Sequence, residues 1–196
     1  MTRTSLDVRK GFTMSPSHRV PDHRSALVYE THELGRHAGV MKELHRVVPA
    51  PAELGVGMIG VPTGSDITLD LRIESVVEGV LVTGTAVVDL VGECSRCLDE
   101  ITGSQTVDLQ ELFFHPGQAQ DMEDSEVIDE MIDLEIPLRD AVVLGLPFTP
   151  LCADDCRGLC SQCGASLNDD PGHSHADQVD PRWSKLAGLN PSEADQ

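Results

Sequence analysis

The run Ile67-Thr68-Leu69-Asp70-Leu71-Arg72-Ile73-Glu74 alternates apolar and polar residues along its whole length. Successive side chains of a strand point to opposite faces, so this period predicts a half-buried strand and not a helix. Glu78-Gly79 breaks the run as a turn. Val80, Val82, Ala86, Val88 and Leu90 then share one face of a second strand, with Gly84 among them as a bulge or a point of close approach. The pair predicts a long β-hairpin. A second reversal falls at Gly92-Glu93-Cys94-Ser95-Arg96-Cys97-Leu98. Beyond it Val107, Leu109 and Phe113 predict a third antiparallel strand, ending near Phe114-His115-Pro116-Gly117.

Upstream of this sheet, residues 1–24 mix Arg, Ser, Pro and His without a sustained period and read as a disordered arm. Ala26-Leu27-Val28-Tyr29 predicts a short strand. Thr31 offers a helix N-cap, but Gly35 and Gly39 keep any helix short. Val47-Val48-Pro49-Ala50-Pro51 must be extended, because each proline drives its predecessor out of the α region.

Downstream, residues 118–135 hold eight Asp/Glu and no Lys/Arg, which reads as a solvated acidic linker. Ile136 to Leu146 is the best helix: Pro137 fits its first turn, and Leu138, Val142 and Leu146 fall on one face. Pro147 and Pro150 stop it. Asp180-Pro181-Arg182-Trp183 predicts a short C-terminal helix closed by Asn190-Pro191. The expected organisation is therefore an arm (1–24), an antiparallel β domain (25–117), the linker (118–135), a helix with a small metal-binding appendage and short helix (136–190), and a tail (191–196). The fold class is α+β.

The chemistry lies between Cys152 and Cys163, where four cysteines follow one another at C-x3-C-x3-C-x2-C spacing. Cys160-Ser161-Gln162-Cys163-Gly164 reads as a zinc knuckle, a turn in which two thiolates grip one ion and Gly164 closes the turn with a positive φ. Cys152 and Cys156 are near enough in sequence to complete a tetrahedron of four sulfurs, so Cys152, Cys156, Cys160 and Cys163 are the expected Zn2+ ligands. Cys94 and Cys97 form a secondary thiol pair. Lying at a reversal between strands and not at a helix N-terminus, they read as structural first, as a share in a metal site second, and as a redox pair last.

Composition narrows the function. The 196 residues allow one ordinary domain plus an appendage, and with one Trp, one Tyr and four Phe the core must be built of Val, Leu and Ile. No apolar run has the length to span a bilayer, and Met1 to Lys10 show no secretory h-region. The expected compartment is a reducing cytoplasm, where clustered cysteine favours metal over disulfide.

A net charge of −19 argues against a protein that coats nucleic acid. Residues 1–46 carry eight Lys/Arg against five Asp/Glu, whereas the remaining 150 carry six against 28. So acidic a body suits a basic protein partner, although such surfaces also serve solubility alone. Asp121, Glu123, Asp124 and Glu126 are the candidate partner contacts, together with the lone Trp183, which is more often a core anchor. No glycine-rich phosphate loop or nucleophile–base set points to an enzyme.

Three stretches together resemble a known family: Val80-Leu81-Val82-Thr83-Gly84 running on to the Cys94–Cys97 reversal, Leu151 to Gly164 followed by Leu167-Asn168, and Asp180-Pro181-Arg182-Trp183. The chain resembles the YceD family, named for accumulation of large-subunit ribosomal RNA, over roughly residues 25–190, and its His-bearing tail is similar to the actinobacterial branch. The resemblance implies a non-enzymatic role in making or stabilising the large ribosomal subunit, by binding a ribosomal protein or precursor rRNA and no small-molecule substrate or membrane. Family genes often adjoin that of a small ribosomal protein, which points to a basic partner. In many members a Cys-x-Cys pair stands where this chain has His173-Ser174-His175. That opens a second ligand set of Cys160, Cys163, His173 and His175, and further combinations that draw in Cys94 and Cys97. The competing classes are a zinc- or thiol-dependent enzyme and a zinc-stabilised adaptor unrelated to ribosomes.

Overall fold

The structure, a computed structural model, describes residues 21–35, 37–119, 121, 125–175 and 182. In chain order they form β1 (Val28–Glu30), a 3-10 turn (His32–Leu34), β2 (Met41–Pro49), β3 (Gly55–Val56), β4 (Ile59–Gly60), β5 (Asp66–Ser75), β6 (Gly79–Glu93), β7 (Glu100–Phe114), β8 (Met131–Asp133) and α1 (Glu135–Gly145). The fold is mostly antiparallel sheet with a single α-helix among the described residues.

The alternating run becomes β5, with Ile67, Leu69, Leu71 and Ile73 all buried. Each such side chain removed from water contributes about 1.5–3 kcal/mol, so this one face outweighs any local propensity. The hairpin partner β6 runs antiparallel in unbroken register, from Thr68↔Val87 to Ser75↔Val80. Gly84 faces Leu71 in that register, and a Cβ there would fall against the Asp70 carbonyl oxygen. It is a point of close approach and not a bulge. β7 follows along β6 as the expected third strand, burying Val107, Leu109 and Phe113. The six-stranded sheet runs β2-β5-β6-β4-β3, with β7 also on β6.

Three differences from the sequence reading stand out. First, β2 covers nine residues and pairs with β5 from Met41↔Glu74 to Pro49↔Asp66, although only its end, around Val47-Val48-Pro49, reads as extended. As an edge strand it buries Val48 alone, so it carries little apolar signal. Second, much of the expected acidic linker is built into the fold. Val127, Ile132 and Leu134 join the main core, and β8 pairs with β1 through Val28↔Asp133, Tyr29↔Ile132 and Glu30↔Met131. Third, Thr31 does not cap a helix with its side chain. Its hydroxyl and its N–H both donate to the Glu130 carbonyl, at 2.9 and 2.8 Å.

α1 lies where its sequence places it, and Leu138, Val142 and Leu146 are all buried. None of the described helices is long and apolar enough to cross a membrane. The chain divides into two compact units, one comprising Met1–Gly92 and Thr102–Phe148, the other Glu93–Ile101 and Thr149–Gln196. The division therefore differs from the expected boundaries at 117 and 136. α1 belongs with the sheet, and the Cys94–Cys97 reversal belongs with the cysteine-rich C-terminal segment. The expected arm falls outside the described residues except for 21–24, as does the C-terminal helix except for Arg182.

Candidate metal centre

All six cysteines and both C-terminal histidines fall in the second unit, and they sort into two groups of four. One holds Cys94, Cys97, Cys152 and Cys156; the other holds Cys160, Cys163, His173 and His175. Within each group the ligand atoms lie within 4.8 Å of one another.

Both groups are built on the same turn. In Cys94-Ser95-Arg96-Cys97-Leu98 the Leu98 N–H donates to the Cys94 carbonyl at 2.9 Å, and the Cys94 N–H donates to the Asp99 carbonyl at 2.8 Å. In Cys160-Ser161-Gln162-Cys163-Gly164 the Gly164 N–H donates to the Cys160 carbonyl at 2.8 Å, and the Cys160 N–H donates to the Ala165 carbonyl at 2.8 Å. The closing residue has positive φ in each, +75° at Gly164 and +64° at Leu98. Only the second turn advertises itself by a glycine.

The first group is the more enclosed. Cys94, Cys97 and Cys156 are buried and form a small core with Ile101, Leu151 and Leu159, while Cys152 is exposed. Cys94 Sγ lies 3.8 Å from Cys156 Sγ, and Cys97 Sγ lies 3.4 Å from Cys152 Sγ. A tetrahedral ion with metal–sulfur bonds of about 2.3 Å sets its sulfurs about 3.8 Å apart, so the four sulfurs lie close enough together to hold one metal ion. None of the six cysteines is disulfide-bonded.

Backbone polarity favours thiolate at one sulfur of each turn. Burial pushes the Cys94 thiol up, but N–H groups at Cys97, Arg96 and Cys152, with the Cys97 thiol, outweigh it and bring it to about 6. Cys160 also falls to about 6, through N–H groups at Gln162 and Cys163, against burial and with help from Cys163 and His173. Cys97 moves the other way. The Asp99 backbone draws it down, but burial, the Asp99 side chain and the thiols of Cys94 and Cys152 push it well up. Several thiols in one place resist ionising together, and a divalent cation removes that conflict.

Supporting contacts orient the ligands. Asn168 Nδ2 donates to Cys156 Sγ at 3.4 Å while its Oδ1 accepts from the Arg157 N–H at 2.8 Å. The Arg96 guanidinium donates to the Cys156 carbonyl at 2.7 Å, so it braces the backbone and does not pair with a thiolate. In the second group His173 Nε2 and His175 Nε2 each lie 3.2 Å from Cys163 Sγ and 2.8 Å from each other, with the rings at 82°. His173 Nδ1 lies 3.8 Å from the Asp170 carboxylate. The two histidines thus present one nitrogen each to a common point, as an i, i+2 pair on extended chain permits.

The expected four-sulfur set is divided by this arrangement. Cys152 and Cys156 lie with Cys94 and Cys97, and only Cys160 and Cys163 remain together, beside the histidines. The reason is local: no turn folds residues 157–159, the Leu159 N–H donates to the Arg96 carbonyl at 3.2 Å, and the chain carries Cys160 onward into its own turn. The thiol pair at Cys94 and Cys97 is a full half of a group. The part played by Asn168 was not read from sequence, although it stands within the Leu167-Asn168 step. Of the candidate partner contacts, Asp121 and Glu126 are described and Glu123, Asp124 and Trp183 lie outside the described residues.

An antiparallel-sheet protein with a small cysteine- and histidine-rich unit able to hold metal is the class that fold and site define. The family described as "Large ribosomal RNA subunit accumulation protein YceD" matches residues 82–190, a span that includes all eight candidate ligands, and the chain belongs to that family. It is 49% identical over 176 residues to an uncharacterized protein of Mycobacterium tuberculosis, covering 87% of this chain and 84% of that one. An uncharacterized protein of Mycobacterium leprae is 41% identical over 189 residues, covering 92% and 87%. These relatives agree with an actinobacterial-type member. No solved structure matches the chain.

Proposed function

We propose that this chain is a non-enzymatic factor in biogenesis of the large ribosomal subunit, that it supports accumulation of large-subunit rRNA by binding a ribosomal protein or rRNA, and that it uses zinc structurally. The observation that carries the reading is family membership over 82–190, which suggests a ribosome-associated role. The donor sets support a structural metal: each supplies four protein ligands, which leaves no open position for substrate or water on a tetrahedral ion. Thiolate and imidazole donors suit zinc, although four thiolates also suit iron.

A basic ribosomal protein is the favoured partner, because 28 Asp/Glu face six Lys/Arg beyond residue 46. Direct RNA contact is the second reading, and one feature favours it. A cavity of about 330 Å³ is lined by His23, His32, Lys42 and Arg46 together with Glu30 and Glu33, within residues 1–46, where eight Lys/Arg exceed five Asp/Glu. Lys42 is already paired with Glu33 at 2.6 Å, so Arg46 is the side chain that would meet phosphate. The deciding experiment is sedimentation of cell extract with identification of what the chain carries. Comigration with large-subunit precursors is expected. Sedimentation free of every ribosomal particle would leave the adaptor class instead, and loss of comigration in Arg46→Ala would favour RNA over protein.

A further inference from the structure

We infer that the chain binds two metal ions at once, and that they differ in exchange: the ion among Cys94, Cys97, Cys152 and Cys156 is retained, and the ion among Cys160, Cys163, His173 and His175 is traded with solution. The two donor sets share no residue and together use all six cysteines of the chain. Each set combines one knuckle turn with a pair of ligands from another segment. The first joins a reversal between strands to residues 55 and 62 positions away in sequence, as the Cys97–Cys152 and Cys94–Cys156 contacts show. The second closes within a segment whose Cys163 and His173 are 10 positions apart.

Exchange follows from access. A competing chelator must reach the metal before the last ligands leave it. In the first set three sulfurs are buried, and Cys152 is the only exposed ligand. Asn168 and the brace from Arg96 hold Cys156 in place, so loss of one sulfur is followed by its return. In the second set Cys163 and His175 are exposed and Cys160 and His173 half-buried, so solvent reaches the donors from more than one side. The ligand class for both is a borderline-soft, tetrahedral divalent ion, with four thiolates in one case and two thiolates with two imidazoles in the other.

The test uses the full-length chain purified under reducing conditions without chelator. Elemental analysis is expected to give two equivalents of zinc. Excess chelator is expected to remove one quickly and the other at least about tenfold more slowly, the scale on which outer contacts alter metal retention. His173→Ala with His175→Ala should lack the fast equivalent and keep the slow one. A single equivalent overturns the inference, as does release of both in one phase. So does a result in which Cys152→Ser with Cys156→Ser and the histidine pair remove the same equivalent, because that restores a single shared site. Should the cysteine variants fail to fold, cobalt loading of the unaltered chain still decides. Two equivalents with distinct four-sulfur and two-sulfur, two-nitrogen absorption are expected, and one equivalent with one spectrum overturns it. None of these readouts involves ribosomes, so this inference and the proposed function fail separately.

Discussion

Leu98 occupies the position that Gly164 fills in the sister turn, at φ +64° and with 57% of its surface exposed. An L side chain in that region costs about 1–2 kcal/mol, whereas glycine adopts it freely and loses about 0.5–1 kcal/mol in chain entropy. Leu98→Gly is therefore expected to raise the stability of the metal-loaded chain by up to about 1 kcal/mol, read by chemical denaturation. A clear loss would mean that Leu98 has an apolar partner that its exposure hides. Tyr29 offers a second residue-level reading, because it is the sole tyrosine. Its hydroxyl is buried and has no hydrogen-bond partner among the described residues. Burial pushes its pKa above 10.0, and nearby Arg46 draws it back only in part. The folded state thus holds the proton more tightly than the unfolded one. The stability this gives is complete below pH 10.0 and is lost as pH rises through the folded pKa. Tyrosinate absorbance should titrate above 10.0 in native protein and return to that value in denaturant. Equal midpoints would contradict the burial.

Among the elements, the β5–β6 hairpin was legible and β8 was not. The hairpin carries its register in a strict alternation and in Gly84, where the backbone takes φ +154° against the Asp70 carbonyl. Gly84→Ala is expected to cost about 2–4 kcal/mol, since the new methyl meets backbone that cannot turn aside. Gly103→Ala, with open space around its Cβ, should stay within about 0.5 kcal/mol. Equal effects in a denaturation series would show that strand propensity, not close approach, governs both. β8 is entered by a tight turn at Asp129-Glu130, with φ of +50° and +59° and reciprocal hydrogen bonds between Ile128 and Met131. Such turns are usually signalled by Asn-Gly or Asp-Gly. Here two acidic residues take the same conformation, so the stretch reads as a linker by charge alone.

For the whole molecule, the uneven charge should govern association. The expected partner is basic and the body acidic, so complex formation should weaken as salt rises. Neutralising Asp121, Glu123, Asp124 and Glu126 to their amides is expected to slow association with that partner, while deletion of residues 1–24 leaves the protein complex largely intact. Binding kinetics across salt concentrations check both. If the deletion abolishes binding and the amides change nothing, the contact lies in the arm.

Features that depend on neighbours in the chain were legible in the residues alone. The alternation of Ile67 to Glu74 made a strand, the spacing of Leu138, Val142 and Leu146 made a helix, and Cys160 to Gly164 made a knuckle turn. The donors themselves, six cysteines and two histidines near them, were visible too, but they read as one metal site with alternative ligand sets and not as two. Which donors meet is set by long-range contacts. Cys156 is four positions from Cys160 yet lies with Cys94, 62 positions away, because a side chain's partners are set by where strands and turns deliver it and not by distance along the chain. The same holds for β2, which is a strand because β5 offers it an edge to bond, and its own residues carry almost no sign of it.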